Sequence, residues 1–333
     1  MSKYTIEVSN LVKRYGNFEA VKGISFNVNK GEIFGFLGPN GAGKTTTVHI
    51  LTTIIDKTSG DAYVCGYDVS KQKEKVRENI GIVFQDPSLD DRLTGYENLD
   101  FHAMIYGINK EYRRKRIKEA LEMVELEDKA DTLVMYYSGG MKRRLEIARG
   151  LLNQPEVLFL DEPTVGLDVQ TRRHILDYIK ALRDRYKMTI FLTTHYIEEA
   201  DYLCDRIAII DHGKIIALDT PENLKKSIGG DTLSLTLKHK SDIKIILNAL
   251  SRLDVIEDVK VENNSIYLIL KDASSNIVDI MNIAYNKNVA IEKVEIRRPS
   301  LEDVFIHYTG RSIREEEGSN LDRIRMRLRA GMR

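Results

Sequence analysis

Over roughly the first 228 residues, short apolar runs alternate with longer amphipathic stretches. The runs 33-IFGFL-37, 157-VLFL-160, 190-IFL-192 and 207-IAII-210 are bounded by Gly, Pro, Asp or Thr. Runs this short, separated by helix-length segments, predict buried strands of a largely parallel sheet. Between about 88 and 155 the texture becomes charged and helix-forming, and 111-EYRRKRIKEALEMVEL-126 puts Ile117, Leu121 and Val124 on one helical stripe. The basic residues of that segment read as its solvated face. A join at 226-KSIGGD-231 precedes a second pattern: Leu233, Leu235 and Leu237 at strand spacing, then Ile243, Ile246, Leu247 and Leu250 at helix spacing. Val259 and Val261, the turn Asn263-Asn264, and Ile266, Leu268 and Leu270 predict a hairpin. A helix through Ile277, Ile280, Met281 and Ala284 and a strand at 289–296 complete a β-α-β-β-α-β order, which predicts a small ferredoxin-like unit. Pro299, Ser300 and Asp303 mark the start of a last helix, and 311–333 reads as a polar, mobile tail. The expected division is therefore 1–228, with a helical subdomain at about 88–155, then 232–310 and the tail 311–333.

Composition narrows the class. At 333 residues, 42% hydrophobic and 30% charged, the chain can bury about two domain cores. Fifty basic residues balance fifty acidic ones, which argues against a globally basic nucleic-acid coat and leaves only a local patch open; no nucleic-acid partner is expected. No run of ~18 apolar residues predicts a spanning helix, and the opening MSKYTIEVSN carries no apolar signal core. Cys65 and Cys204, far apart, read as reduced thiols of a cytosolic protein.

The chemistry concentrates in two clusters. The segment 38-GPNGAGKTT-46 matches G-x-x-x-x-G-K-[ST] between a strand and a helix, the context this phosphate loop requires. Gly38, Gly41 and Gly43, with Asn40 and Ala42 between them, let successive amides converge on phosphate oxygens, and the helix beginning near Thr46 adds its N-terminal partial charge. Lys44 reaches the terminal phosphates and Thr45 offers a hydroxyl to Mg²⁺. In 157-VLFLDEPT-164 a buried strand delivers Asp161 and Glu162 to its carboxyl end. Asp161 suits the Mg²⁺ shell, and Glu162 suits the deprotonation of an attacking water.

With 137-YSGGMKRRLEIARGLL-152 between these clusters, the chain resembles the ATP-binding cassette (ABC) family from residue 4 to about 225. The resemblance implies an α/β fold: a P-loop NTPase cassette with a helical subdomain, followed here by the small C-terminal α+β, ferredoxin-like domain. It implies that Tyr15 stacks on adenine, that Gln85 in 82-IVFQD-86 joins the Mg²⁺ shell, and that Ser138-Gly139-Gly140 is the signature. Gly166-Leu167-Asp168 resembles the D-loop and His195 the switch histidine. Taken singly, Tyr15, Gln85 and His195 also have plain packing or surface readings; it is their order along the chain that carries the assignment. Met141 and Tyr137 depart from the family's common glutamine and leucine, beside an intact Ser138-Gly139-Gly140.

In the family the signature of one cassette caps the γ-phosphate held by another. One P-loop and one signature therefore imply a second copy of this chain as partner. GGMKRRL together with RRPSLEDVF at 297–305 is similar to the daunorubicin-resistance-like, drug- and antibiotic-resistance branch of ABC type-2 exporters. That branch implies an ATPase (cofactors ATP and Mg²⁺) peripheral on the cytoplasmic membrane face beneath a separately encoded integral-membrane permease. The stretch 86–107 would receive the permease, and Leu89, Leu93, Tyr96 and Leu99 either line that groove or pack in the core. The alternatives are a soluble ABC ATPase acting on nucleic acid or ribosomes, and an ATPase regulated by a ligand of the 232–310 unit.

Overall fold

The computed structural model describes residues 3–309 apart from 87, 251–254 and 271–272; the expected tail, 311–333, lies outside the described residues. The chain divides into two units after Pro221.

The first unit is built on two sheets. One has six strands in the order Lys214–Asp219, Arg206–Asp211, Ile33–Leu37, Thr189–Thr194, Val157–Asp161 and Ile80–Val83. All neighbours run parallel except the first pair. The central strands Ile33–Leu37, Val157–Asp161 and Thr189–Thr194 are buried at every position, which is why their sequences read as unbroken apolar runs. The other sheet is antiparallel, ordered Phe18–Asn29, Tyr4–Tyr15, Ser59–Val64, Tyr67–Asp68. No run of the sequence announces it. Its first two strands are 12 residues each, and bulges interrupt the alternation that would announce them. Phe26 from this sheet packs against Phe34, Phe36 and Phe191 of the other at centroid distances of 5.5, 5.5 and 6.0 Å. Full burial of rings like these contributes ~1.5–3 kcal/mol each, and the shared core holds the parallel strand ends in place.

The helical subdomain has its own core. Helix Gly95–Ile105 starts with a capping box between Thr94 and Glu97. Helix Lys110–Met123 buries Ile117 and Leu121 of the expected stripe together with Ala120, and Val124, also buried, is its C-cap. Helix Gly139–Leu151 contributes Leu145 and Ala148. Leu99 is fully buried in this core, and Leu89 and Tyr96 pack partly buried against it, so Leu99 takes the packing reading rather than the groove one.

The second unit begins within helix Pro221–Ser227, at Glu222. Its sheet is antiparallel throughout, ordered Ile256–Glu262, Ser265–Leu270, Asp231–Leu237, Ile291–Arg297. Helices Ile243–Leu250 and Ala273–Asn286 connect these strands, giving the β-α-β-β-α-β order of a ferredoxin-like fold. Leu233, Leu235, Leu237, Ile266, Leu268 and Leu270 share one core with Ile246, Leu250 and Ile280. Helix Leu301–Thr309 follows, and the Ser300 hydroxyl accepts from the Asp303 amide at 3.1 Å, the expected cap.

Candidate functional site

Strand Ile33–Leu37 runs directly into the loop 38–43, and helix Lys44–Leu51 follows it. Two of the glycines are required by the packing. A Cβ on Gly38 would lie 2.2 Å from the Ile210 carbonyl oxygen, on the neighbouring strand. Gly43 has φ +103, and a Cβ there would meet the Ala20 carbonyl oxygen at 2.7 Å. Asn40 and Gly41 sit exposed at the loop's tip, Ala42 is buried, and Thr46 is half-buried on the first helical turn.

Lys44 is folded back into this loop. Its side chain is 4% exposed, and its ammonium donates to the Gly38 and Pro39 carbonyls at 2.8 and 3.1 Å. The same ammonium pairs with Glu162 Oε1 at 3.1 Å. The Thr45 hydroxyl reaches Asp161 Oδ1 at 3.4 Å. Asp161 and Glu162 stand where strand Val157–Asp161 ends, beside Thr193 on the adjacent strand. The Thr193 hydroxyl donates to Asp161 Oδ1 and accepts the Glu162 amide at 3.0 Å. Glu162 has φ +47, a left-handed backbone that costs a non-glycine residue ~1–3 kcal/mol and must be held by its surroundings.

His195 follows strand Thr189–Thr194, is 8% exposed, and places Nδ1 3.1 Å from Glu162 Oε2. Glu162 is thus gripped by Lys44 on one oxygen and His195 on the other. Burial pushes its carboxyl up, but the hydrogen bond from His195 and the charge of Lys44 outweigh that, holding it below the ordinary carboxylate range. A carboxylate kept ionised within a buried cluster can accept a proton from water.

The structure therefore joins Lys44, Thr45, Asp161, Glu162 and His195 in one contact network. Other sequence candidates lie outside it. Tyr15 ends its strand 48% exposed, with Lys13 Nζ 4.9 Å from the ring centroid. Gln85 is exposed two residues beyond strand Ile80–Val83, the neighbour of the Asp161 strand. Ser138 caps helix Gly139–Leu151, accepting from the Met141 amide at 3.2 Å and leaving the Gly139 and Gly140 amides on the first turn. Asp168 caps the next helix, Val169–Tyr186, by accepting from the Thr171 amide at 2.9 Å.

Two residues absent from the sequence reading belong to the site. Thr193 ties Asp161 to the Glu162 backbone, as described. Glu199, 2% exposed, accepts from the hydroxyls of Thr164 and Thr194 and lies 3.6 Å from Arg172 Nε. It thereby joins the turn after Glu162 to the strand end before His195. Burial pushes its carboxyl up despite those hydrogen bonds. A local signal existed for both: the polar pair Thr193-Thr194 ends an apolar strand, and the acids Glu198 and Glu199 follow His195 after Tyr196 and Ile197.

Residues 21–165 match the family described as ABC transporter. Residues 220–309 match the ATP-binding protein DrrA1-3-like, C-terminal domain. The chain is 39% identical over 313 residues to the linearmycin resistance ATP-binding protein LnrL of Bacillus subtilis (strain 168), covering 93% of this chain and 100% of that protein. It is 38% identical over 311 residues to the daunorubicin resistance ATP-binding protein DrrA2 of Streptomyces coeruleorubidus, covering 93% and 96%. Among solved structures it resembles the dimeric, post-hydrolysis ATP-binding cassette MJ0796 bound to ADP and Pi. The TM-score is 0.58 at 30% identity, over 65% of this chain and 98% of that one. A phosphate loop closed on an ionised carboxylate and matches along nearly the whole chain agree: this protein belongs to the ABC transporter ATP-binding proteins, and it is an ATPase.

Proposed function

We propose that this ATPase is the motor of an exporter whose membrane pathway is a separate polypeptide. What carries the reading is the full-length match, C-terminal unit included, to ATP-binding proteins named for resistance to linearmycin and daunorubicin. Among the described residues no helix is long and apolar enough to cross a membrane, so a separate permease would supply the pathway, with this chain peripheral on its cytoplasmic face. Phe101, Met104 and Ile105 are 55%, 48% and 64% exposed on one side of helix Gly95–Ile105. Tyr136, 72% exposed, adds to the apolar surface of the same subdomain. These side chains, rather than Leu99, are suited to permease contact.

In hydrolysis the loop amides of 38–46 bind the phosphates of ATP, and Lys44 exchanges its two carbonyls and Glu162 for phosphate oxygens. The Thr45 hydroxyl and Asp161 carboxylate, 3.4 Å apart at the mouth of the loop, are hard oxygen donors that fit Mg²⁺, and the Gln85 amide oxygen completes the protein's share. Bound there, Mg²⁺ supplies charge neutralisation to the phosphates. Glu162 takes the proton of the attacking water while His195 holds the carboxylate in place. Tyr15 offers its exposed ring to the adenine face. Ser138 with the Gly139 and Gly140 amides forms an anion-binding helix start for the γ-phosphate held by a second copy of the chain. Two ATP molecules then lie between two protomers related by a two-fold axis, and loss of the γ-phosphate removes the bridge.

The test is to express the chain with the product of a neighbouring gene encoding about six hydrophobic spans. Co-purification from membranes and permease-stimulated ATP hydrolysis in proteoliposomes are expected. An ATPase that stays in the soluble fraction, with turnover indifferent to the permease, would reject the exporter reading.

A further inference from the structure

Arg143 lies in helix Gly139–Leu151, five residues beyond Ser138, and is 6% exposed. Its guanidinium is shared among segments far apart in sequence. Nε donates to the Pro163 carbonyl at 2.6 Å and Nη2 to the Asp161 carbonyl at 3.3 Å. These are the carbonyls immediately after and before Glu162. Nη1 donates to the carbonyl of Phe84, the residue before Gln85, at 2.6 Å and to Glu146 Oε2 at 2.8 Å. Glu146, 2% exposed, accepts the Ser88 amide at 2.9 Å, and Arg149 donates to the Ser88 carbonyl at 3.1 Å.

A buried cation is costly to desolvate and persists only where its donors are satisfied. Pairing with Glu146 alone would use one edge of the guanidinium. Here three further donors are spent on main-chain carbonyls, two of them flanking the residue with the left-handed backbone. Thr193 holds that residue's amide from the neighbouring strand. We infer that Arg143 is a positioning residue for hydrolysis: it fixes Glu162 through the carbonyls on both sides and registers the Gln85 segment and the helix begun by Ser138 against the same point. The inference rests on Glu162 being the base. A displacement at Phe84 reaches the Glu162 backbone through this side chain, so it alters turnover more than ATP affinity.

The test uses the full chain. Arg143→Lys keeps a charge beside Glu146, but its compact ammonium lacks the planar fork that spans Phe84, Asp161 and Pro163. A misplacement of ~1 Å at a reacting group can cost ~10²-fold, so kcat should fall at least about tenfold, with KM and ATP Kd within about twofold of wild type. In Arg143→Ala, millimolar guanidinium should restore part of kcat and methylammonium should not, a response that loss of packing alone does not produce. A lysine variant within about twofold of wild-type kcat would overturn the role. So would a parallel loss of kcat and ATP affinity that guanidinium does not reverse. Glu162→Gln is measured alongside: normal turnover there removes the base assignment itself, whereas its collapse beside an unaffected Arg143→Lys removes only the positioning role.

Discussion

Replacing Glu162 with glutamine should separate ATP binding from turnover, and the structure sets the direction of each effect. Glutamine keeps the size of the side chain and its contact with His195 but cannot take a proton. The loss of a general base lowers kcat by about a hundredfold or more. Binding should move the other way. In the wild-type protein the Lys44 ammonium sits 3.1 Å from Glu162 Oε1, with both side chains at most 5% exposed. A phosphate must win Lys44 from that carboxylate and also approach a buried negative charge. Net contacts to charged groups are worth ~1.5–3 kcal/mol, so relieving part of this competition should tighten ATP by about 1–2 kcal/mol, or about 5–30-fold. The protein without nucleotide should melt lower than wild type, because the buried Lys44 ammonium loses a charged partner and keeps neutral acceptors such as the Gly38 and Pro39 carbonyls, and saturating nucleotide should recover more than the loss. Calorimetric titration of both proteins with a non-hydrolysable ATP analogue, paired with phosphate-release kinetics, measures the two effects. Size-exclusion chromatography with ATP should show the variant as a stable dimer. Near-normal hydrolysis, or weaker binding in the variant, would refute the reasoning.

Tyr15→Phe should be nearly silent, whereas Tyr15→Ala should weaken ATP by ~1–3 kcal/mol, the range for base–aromatic stacking, with GTP competing; equal affinity across the three proteins in a binding titration would remove the stacking role. Glu199→Gln should stabilise the protein at neutral pH. A carboxyl whose folded pKa is raised binds its proton more tightly when folded, so its contribution fades as pH rises from its ordinary 4.5 through the folded value. Melting temperatures of wild type and variant should therefore converge as pH falls towards 4.5; a gap that widens instead would contradict the assignment. Ending the chain at Pro221, where the first unit ends, should leave ATP affinity intact but make ATPase activity depend steeply on protein concentration. If the C-terminal units pair, they hold two cassettes at an effective concentration of order millimolar. Unchanged specific activity of the shortened chain at nanomolar concentration would exclude that tether.

What sequence alone determined is the chemistry made by residues adjacent in the chain. The phosphate loop is a single run of nine consecutive residues, so GPNGAGKTT carries its own geometry once a strand precedes it and a helix follows. The buried strand ending in Asp161-Glu162 and the β-α-β-β-α-β alternation of the second unit were legible for the same reason: period and punctuation are local. Packing decided what depends on distant partners. Leu99 is an apolar residue at helical spacing whether it faces a core or a groove, and only the surrounding helices make it core. Sequence spacing could not show that Glu162 adopts a left-handed backbone, or that the Lys44 amine closes on it from 118 positions away. Arg143 reads in sequence as one more base on a charged helix. Its role follows from three carbonyls, at positions 84, 161 and 163, that converge on it only when two strand ends and a helix meet, because a buried guanidinium takes its partners from whatever backbone the fold brings within ~3 Å.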